Sequence, residues 1–166
     1  MAWSRPWRRL RREIARYRRS VPKLRALHWR DWKDLVRAQV ALIRAQREMK
    51  RLPTGEMVRD ETAPPGDGSA MAENRIVDAR RVALAVNRVA EFGMFRPRCL
   101  VRSRALRQML DAEGIKGAQV RVGVQLSQGH FRAHAWVEYD GQVVGDDPAR
   151  VAQFVPMPGL RVAELE

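Results

Sequence analysis

Apolar side chains recur at helical spacing through the first two thirds of this chain, then switch to strict alternation near residue 119. Trp3, Trp7, Leu10, Ile14 and Tyr17 are spaced by 4, 3, 4 and 3 residues, one stripe of an amphipathic helix whose other faces are arginine. Pro22 breaks that segment. A second helix is predicted from Trp29 or Asp31 to Lys50, with Asp31 as N-cap and Trp32, Leu35, Val36, Val40, Leu42, Ile43 and Met49 as its apolar positions. Pro53 and Gly55 follow it. Residues 60–72, DETAPPGDGSAMA, have no period and read as a linker. Helical spacing returns over 73–92 through Ile76, Val77, Ala79, Ala83, Val86, Val89 and Ala90, closed by Gly93. A further helix runs through Cys99, Leu100, Ala105, Leu106, Met109 and Leu110 to Gly114, with Pro97 expected in its first turn.

From Gln119 the pattern is that of strands. Val120, Val122, Val124 and Leu126 take one face, and Arg121, Gly123 and Gln125 the other. After a turn at SQGH, residues 131–139 alternate again. Phe131, Ala133, Ala135, Val137 and Tyr139 share a face, and Arg132, His134, Trp136 and Glu138 share the opposite one. Asp140-Gly141 signals a hairpin, 142–145 is the return strand, and Pro148 marks its end. Val151–Leu160 is expected to add a short edge strand. The elements together predict an α+β fold, with helices packed on a small antiparallel sheet. The chain divides into a helical N-terminal region (1–59), a linker (60–72) and a core (73–166).

Charge sharpens that division. Residues 1–51 carry 17 Lys/Arg against 4 Asp/Glu, which accounts for the whole net charge of +13, while the remainder is neutral. Basic residues interleaved with aromatics suit a solvated amphipathic helix, an acidic partner, nucleic acid or an anionic membrane face. Nucleic acid is the least expected of these. With 45% hydrophobic residues, a packed core is expected. A single cysteine rules out an internal disulfide and any multi-thiolate metal site, and no cofactor is expected. No apolar run approaches the roughly 20 residues that span a bilayer. The opening MAWSRPWRRLRR has no apolar core after it, so no secretory signal is expected. The expected location is the cytoplasm, and peripheral membrane contact is one of the roles open to residues 1–51.

The chemistry-bearing residues gather between Pro97 and Asp147. Cys99 stands at a helix start, His134 on a strand, and Asp146 and Asp147 where the next strand ends. A thiol, an imidazole and a carboxylate on separate elements are the parts of a nucleophile, its base and the orienter of that base. Cysteine attacks as thiolate, and a helix N-terminus favours negative charge, as do Arg96, Arg98 and Arg102 if they face the site. An ideal two-residue turn at Asp140-Gly141 pairs residue 139 with 142 and sets residue 147 opposite His134. A bulged three-residue loop selects Asp146 instead. Taken singly, each residue also has an ordinary role. A lone cysteine is usually a small buried hydrophobe, a strand histidine is usually satisfied in place, and Asp-Asp-Pro can simply end a strand. Trp136 is expected to cover the site rather than act in it. His28 and His130 are expected to be structural or exposed.

Cys99 with the helix RSRALRQML, then VRVGV, FRAHAWVEYDG and VVGD, resembles the core of the lasso-peptide B proteins. These are transglutaminase-like, papain-fold cysteine peptidases that remove the leader from a lasso-peptide precursor. HAWVE-x-DG is the most specific block, and the likeness covers residues 75–160, with a weaker one at DWKDLVRAQVALIRAQREMKRLP. The resemblance implies Cys99 as nucleophile, His134 as base and Asp146, rather than Asp147, as third member. It also implies partners. The leader is bound by a recognition element that takes it up as an added strand, either fused to the peptidase or separate. No such element is visible in residues 1–72, so a separate leader-recognition protein is expected beside the precursor peptide. The released core passes to an ATP-dependent lasso cyclase, and this chain has no nucleotide-binding motif of its own. The alternatives are an acyl-transferring transglutaminase-like enzyme, or a basic nucleic-acid or membrane-surface binding protein without catalysis.

Overall fold

A computed structural model describes residues 29–51, 70–127 and 129–157. The expected helix at 3–19, Pro22, His28, the expected helix stop at Pro53 and Gly55, and the chain beyond Met157 lie outside the described residues. One compact unit begins at Asp34 and holds all of the site described below.

Helix α1, Trp29–Arg51, begins two residues before Asp31, so Asp31 sits within its first turn rather than at the cap. A carboxylate there is favoured by the helix dipole. Its buried stripe is Ala38, Ala41, Leu42 and Ala45. Val36 and Val40, expected on the apolar side, are 60% and 43% exposed. The alanines lie on the face turned to the core, and β-branched Val36 and Val40 fall on the outer face. Buried Asp34 is ion-paired with Arg81, which also reaches Glu113 at 3.9 Å, so one charged chain joins three helices.

Helix α2, Ala70–Phe92, starts three residues earlier than its spacing suggested. Ala70, Met71 and Ala72 are strong helix formers, and the breaker-rich run ends at Ser69. Ile76, Ala79, Val82, Ala83, Val86, Val89 and Ala90 are buried. Helix α3, Cys99–Ala112, has Arg98 as its N-cap in an extended conformation. Pro97 therefore stands outside the helix rather than in its first turn, and Cys99 is the first helical residue. Gly114, at φ +76, ends the helix, and the Ile115 amide turns back to the Leu110 carbonyl at 2.9 Å.

The sheet has four antiparallel strands in the order β3-β2-β1-β4. They are β1 (Gln119–Ser127), β2 (His130–Tyr139), β3 (Gln142–Val144) and β4 (Val155–Pro156). Asp140 and Gly141 both have positive φ, 50 and 70, and Tyr139 pairs with Gln142. This is the two-residue turn the sequence predicts. Gly145, at φ +80, ends β3 one residue early. A single helical turn, α4 (Pro148–Val151), follows, capped by the Asp147 side chain on the Ala149 amide at 3.0 Å. The chain then joins the far edge of the sheet as β4, the edge strand expected from the tail.

Val137, Tyr139 and Val144 from the sheet, Leu42 from α1, Val82 and Val86 from α2, and Leu106 and Leu110 from α3 share one core. Each fully buried Leu or Val contributes roughly 1.5–3 kcal/mol. Beyond Ala133 the helices no longer cover the sheet, and Leu126 and Phe131 face each other across the strands at 64% and 80% exposure.

Candidate active site

Cys99, His134 and Asp146 line one narrow cleft that opens to solvent between α2, α3, β2 and the end of β3. Each reaches it by a different local rule. Cys99 is half-buried at the first position of α3. The first-turn amides of a helix have no partner within it, so that turn supports negative charge on the sulfur or on an oxygen bound next to it. His134 sits on β2 opposite Gly123 and is buried, 8% exposed. Asp146 follows Gly145, whose left-handed backbone swings the chain off the strand and toward the imidazole.

His134 Nε2 and Asp146 Oδ2 are 2.6 Å apart. An ionised carboxylate only accepts, so Nε2 carries the proton and donates it, which leaves the Nδ1 lone pair free to act as a base. The other carboxylate oxygen, Oδ1, accepts from the Asp147 amide at 2.8 Å. Both oxygens of Asp146 are thus held. Asp147 turns away to cap α4. The two aspartates, open alternatives in the sequence, have separate tasks, although the ideal turn forms. Extrapolating its register to residue 147 fails because pairing stops at Val144.

Trp136, also on the His134 face, is 2% exposed, and its ring stacks near the imidazole at 6.3 Å between centroids. Its Nε1–H donates to Glu138 at 2.8 Å, and Arg121 donates to the same carboxylate at 3.2 Å. Gly123 makes room for the indole: a Cβ there would lie 2.8 Å from Trp136 Cη2. Phe154 closes another side, 5.2 Å from the imidazole. Trp136 and Phe154 shield the histidine from water. His130 is exposed at the open end of β2.

Of the three arginines near Cys99, only Arg102 lines the cleft; Arg96 and Arg98 are exposed. Three residues near the site are not singled out by the sequence pattern. Arg150 Nη2 lies 2.9 Å from His134 Nε2 and 3.4 Å from Asp146 Oδ2. Since Nε2 carries a proton, the acceptor open to that guanidinium is Asp146. Its spacing of four from Asp146 is the one hint the sequence holds. Asn87 falls between the apolar positions of its helix, and Phe154 lies in a tail expected only to add an edge strand. Among the described residues no group of His, Cys, Asp and Glu is placed to hold a metal ion, and no helix is long and apolar enough to cross a membrane.

A family model described as the transglutaminase-like superfamily matches residues 35–158. Comparison with curated proteins and with solved structures finds no match.

Proposed function

Because the chain belongs to the transglutaminase-like superfamily, we propose that it is a cysteine endopeptidase that removes the leader from a lasso-peptide precursor. Cys99 is the nucleophile, His134 the base and Asp146 the orienter of that base. The observation that carries this reading is the 2.6 Å contact of a buried imidazole with a doubly held carboxylate, in the cleft that also holds the only cysteine.

The chemistry follows from the protons. Nδ1 of His134 takes the thiol proton, and the sulfur attacks the scissile carbonyl. The new oxyanion is met by amides of the first turn of α3. As the C–N bond breaks, the imidazolium returns its proton to the leaving amine, and an acyl-enzyme remains on Cys99. Water, deprotonated by the same Nδ1, attacks this thioester and releases the acid with the free thiol. Asp146 stays ionised throughout and stabilises the imidazolium.

The resemblance of HAWVE-x-DG to the lasso-peptide B proteins supports the choice of substrate. A separate leader-recognition protein then presents the precursor, and an ATP-dependent cyclase takes the product. The basic residues of the first 51 positions supply a surface for one of these partners or for the membrane face. The test is incubation with precursor and recognition protein, read by mass. Wild type releases leader and core, whereas Cys99→Ala leaves the precursor whole; a Cys99→Ala protein that still cuts removes the assignment. The family match favours a second reading equally at the acyl-enzyme step, transfer to an amine in place of water. Products heavier than the hydrolysis fragments by the mass of the amine less water identify it.

A further inference from the structure

The side chain of Asn87 joins the two halves of the cleft. Its Oδ1 accepts from Arg102 Nη2 at 2.7 Å, and its Nδ2 donates to the Gly145 carbonyl at 2.8 Å. Arg102 lies one helical turn after Cys99 on α3. Gly145 lies immediately before Asp146. A single amide group on α2 therefore spans from the nucleophile's helix to the turn that carries the acid. Its orientation follows from chemistry: a guanidinium only donates and a carbonyl only accepts, so a reversed amide would lose both bonds.

The place of this bridge matters as much as its length. Backbone pairing of β3 with β2 ends at Val144. Between Gly145 and Phe154 no strand pairing holds the chain, and the Gly145 carbonyl takes its donor from elsewhere. Asn87 supplies that donor. The turn is also wedged: a Cβ on Gly145 would lie 2.9 Å from Leu106 on α3 and 3.1 Å from Ala83 on α2. Packing limits how closely the turn approaches the helices, and the amide stops it from drifting away.

We propose that Asn87 is a positioning residue of the cysteine peptidase, setting the separation between the Cys99 thiol and the His134–Asp146 pair through Arg102 on one side and Gly145 on the other. The assignment rests on the Cys99–His134 reading above. Asn87 acts through its two partners and takes no part in bond making.

Cys99 is the only thiol in the chain, so alkylation by iodoacetamide, followed by intact mass, reports its reactivity without any substrate. Four proteins are compared at neutral pH: wild type, His134→Ala, Asn87→Leu and Asn87→Gln. The Asn87 changes add no charge, so a slower rate does not arise from a new electrostatic field. Asn87→Leu removes both bonds, whereas Asn87→Gln keeps both groups but displaces them by one methylene. The expected order is wild type fastest, Asn87→Gln intermediate, and Asn87→Leu at least tenfold slower, close to His134→Ala. Thermal melting establishes that each variant is folded at the assay temperature, and Asn87→Gln serves alone should Asn87→Leu fail to fold. A merely structural Asn87 lowers the melting temperature and leaves the rate of the folded protein unchanged. If His134→Ala is slowed while both Asn87 variants alkylate within twofold of wild type, the positioning role is wrong. If His134→Ala itself alkylates like wild type, the peptidase reading falls, and the role of Asn87 falls with it.

Discussion

Gly145→Ala tests whether the turn before Asp146 is as tightly set as its surroundings imply. Two independent costs add. Gly145 has φ +80, a conformation that disfavours an L side chain by roughly 1–2 kcal/mol. The new methyl group would also sit 2.9 Å from Leu106 Cδ2 and 3.1 Å from Ala83 Cβ, overpacking of a kind that costs about 1–3 kcal/mol. If the turn holds its place, the protein loses about 2–5 kcal/mol. At roughly 2–4 °C per kcal/mol for a chain of this size, the melting temperature drops by roughly 4–20 °C. If the turn moves instead, it carries Asp146 away from His134 Nε2, and in the proposed reaction a displacement of about 1 Å is enough to slow cleavage roughly 100-fold. Thermal melting and precursor cleavage, measured on the same samples, therefore cannot both stay at wild-type values. In a Leu106→Ala background the closest contact is gone, and the Gly145→Ala penalty should shrink toward the backbone cost alone. A Gly145→Ala protein that melts within about 1 °C of wild type and cleaves at the wild-type rate refutes the account of this turn.

Two aspartates side by side should respond in opposite ways. Asp146→Asn slows cleavage by roughly 100- to 10,000-fold, because the amide either presents a donor to Nε2–H or favours the wrong tautomer. Asp147→Ala removes the α4 cap, costs about 1 kcal/mol in a denaturant melt, and leaves cleavage within a few-fold of wild type. Gly123→Ala places a methyl group 2.8 Å from Trp136 Cη2 and 2.9 Å from the Val155 carbonyl. It should destabilise by about 1–3 kcal/mol, less in a Trp136→Phe background, where the crowded ring atoms are absent.

The strands, their turns and three of the four helices were legible because each has a local cause. Alternation sets β1 and β2, Asp140-Gly141 sets the hairpin, and Gly114 ends α3. What was not legible depended on neighbours. The buried stripe of α1 is mostly alanine, so hydrophobicity pointed to Val36 and Val40, while the face turned to the core carries Ala38, Ala41 and Ala45. The linker overlapped the start of α2 because Ala70, Met71 and Ala72 carry no breaker or clear period of their own. Within the site, the types and order of Cys99, His134 and Asp146 were readable, but the residues that hold them were not. Asn87 is a polar position on a helix, which a helical pattern assigns to solvent, and Arg150 lies on a single turn, α4, that no periodicity announces. Asp146 and Asp147 could not be separated by register, since the deciding event is the backbone reversal at Gly145.

Strands β3 and β4 occupy opposite margins of the sheet, so the ten residues between Val144 and Val155 form a belt fastened at both buckles. Asp146, Arg150 and Phe154 all ride on this belt, and all three touch the same imidazole. Its length is thereby matched to the width it must cross. An inserted residue creates slack that withdraws the carboxylate, whereas the same insertion at the exposed β1–β2 tip would leave the imidazole's neighbours undisturbed.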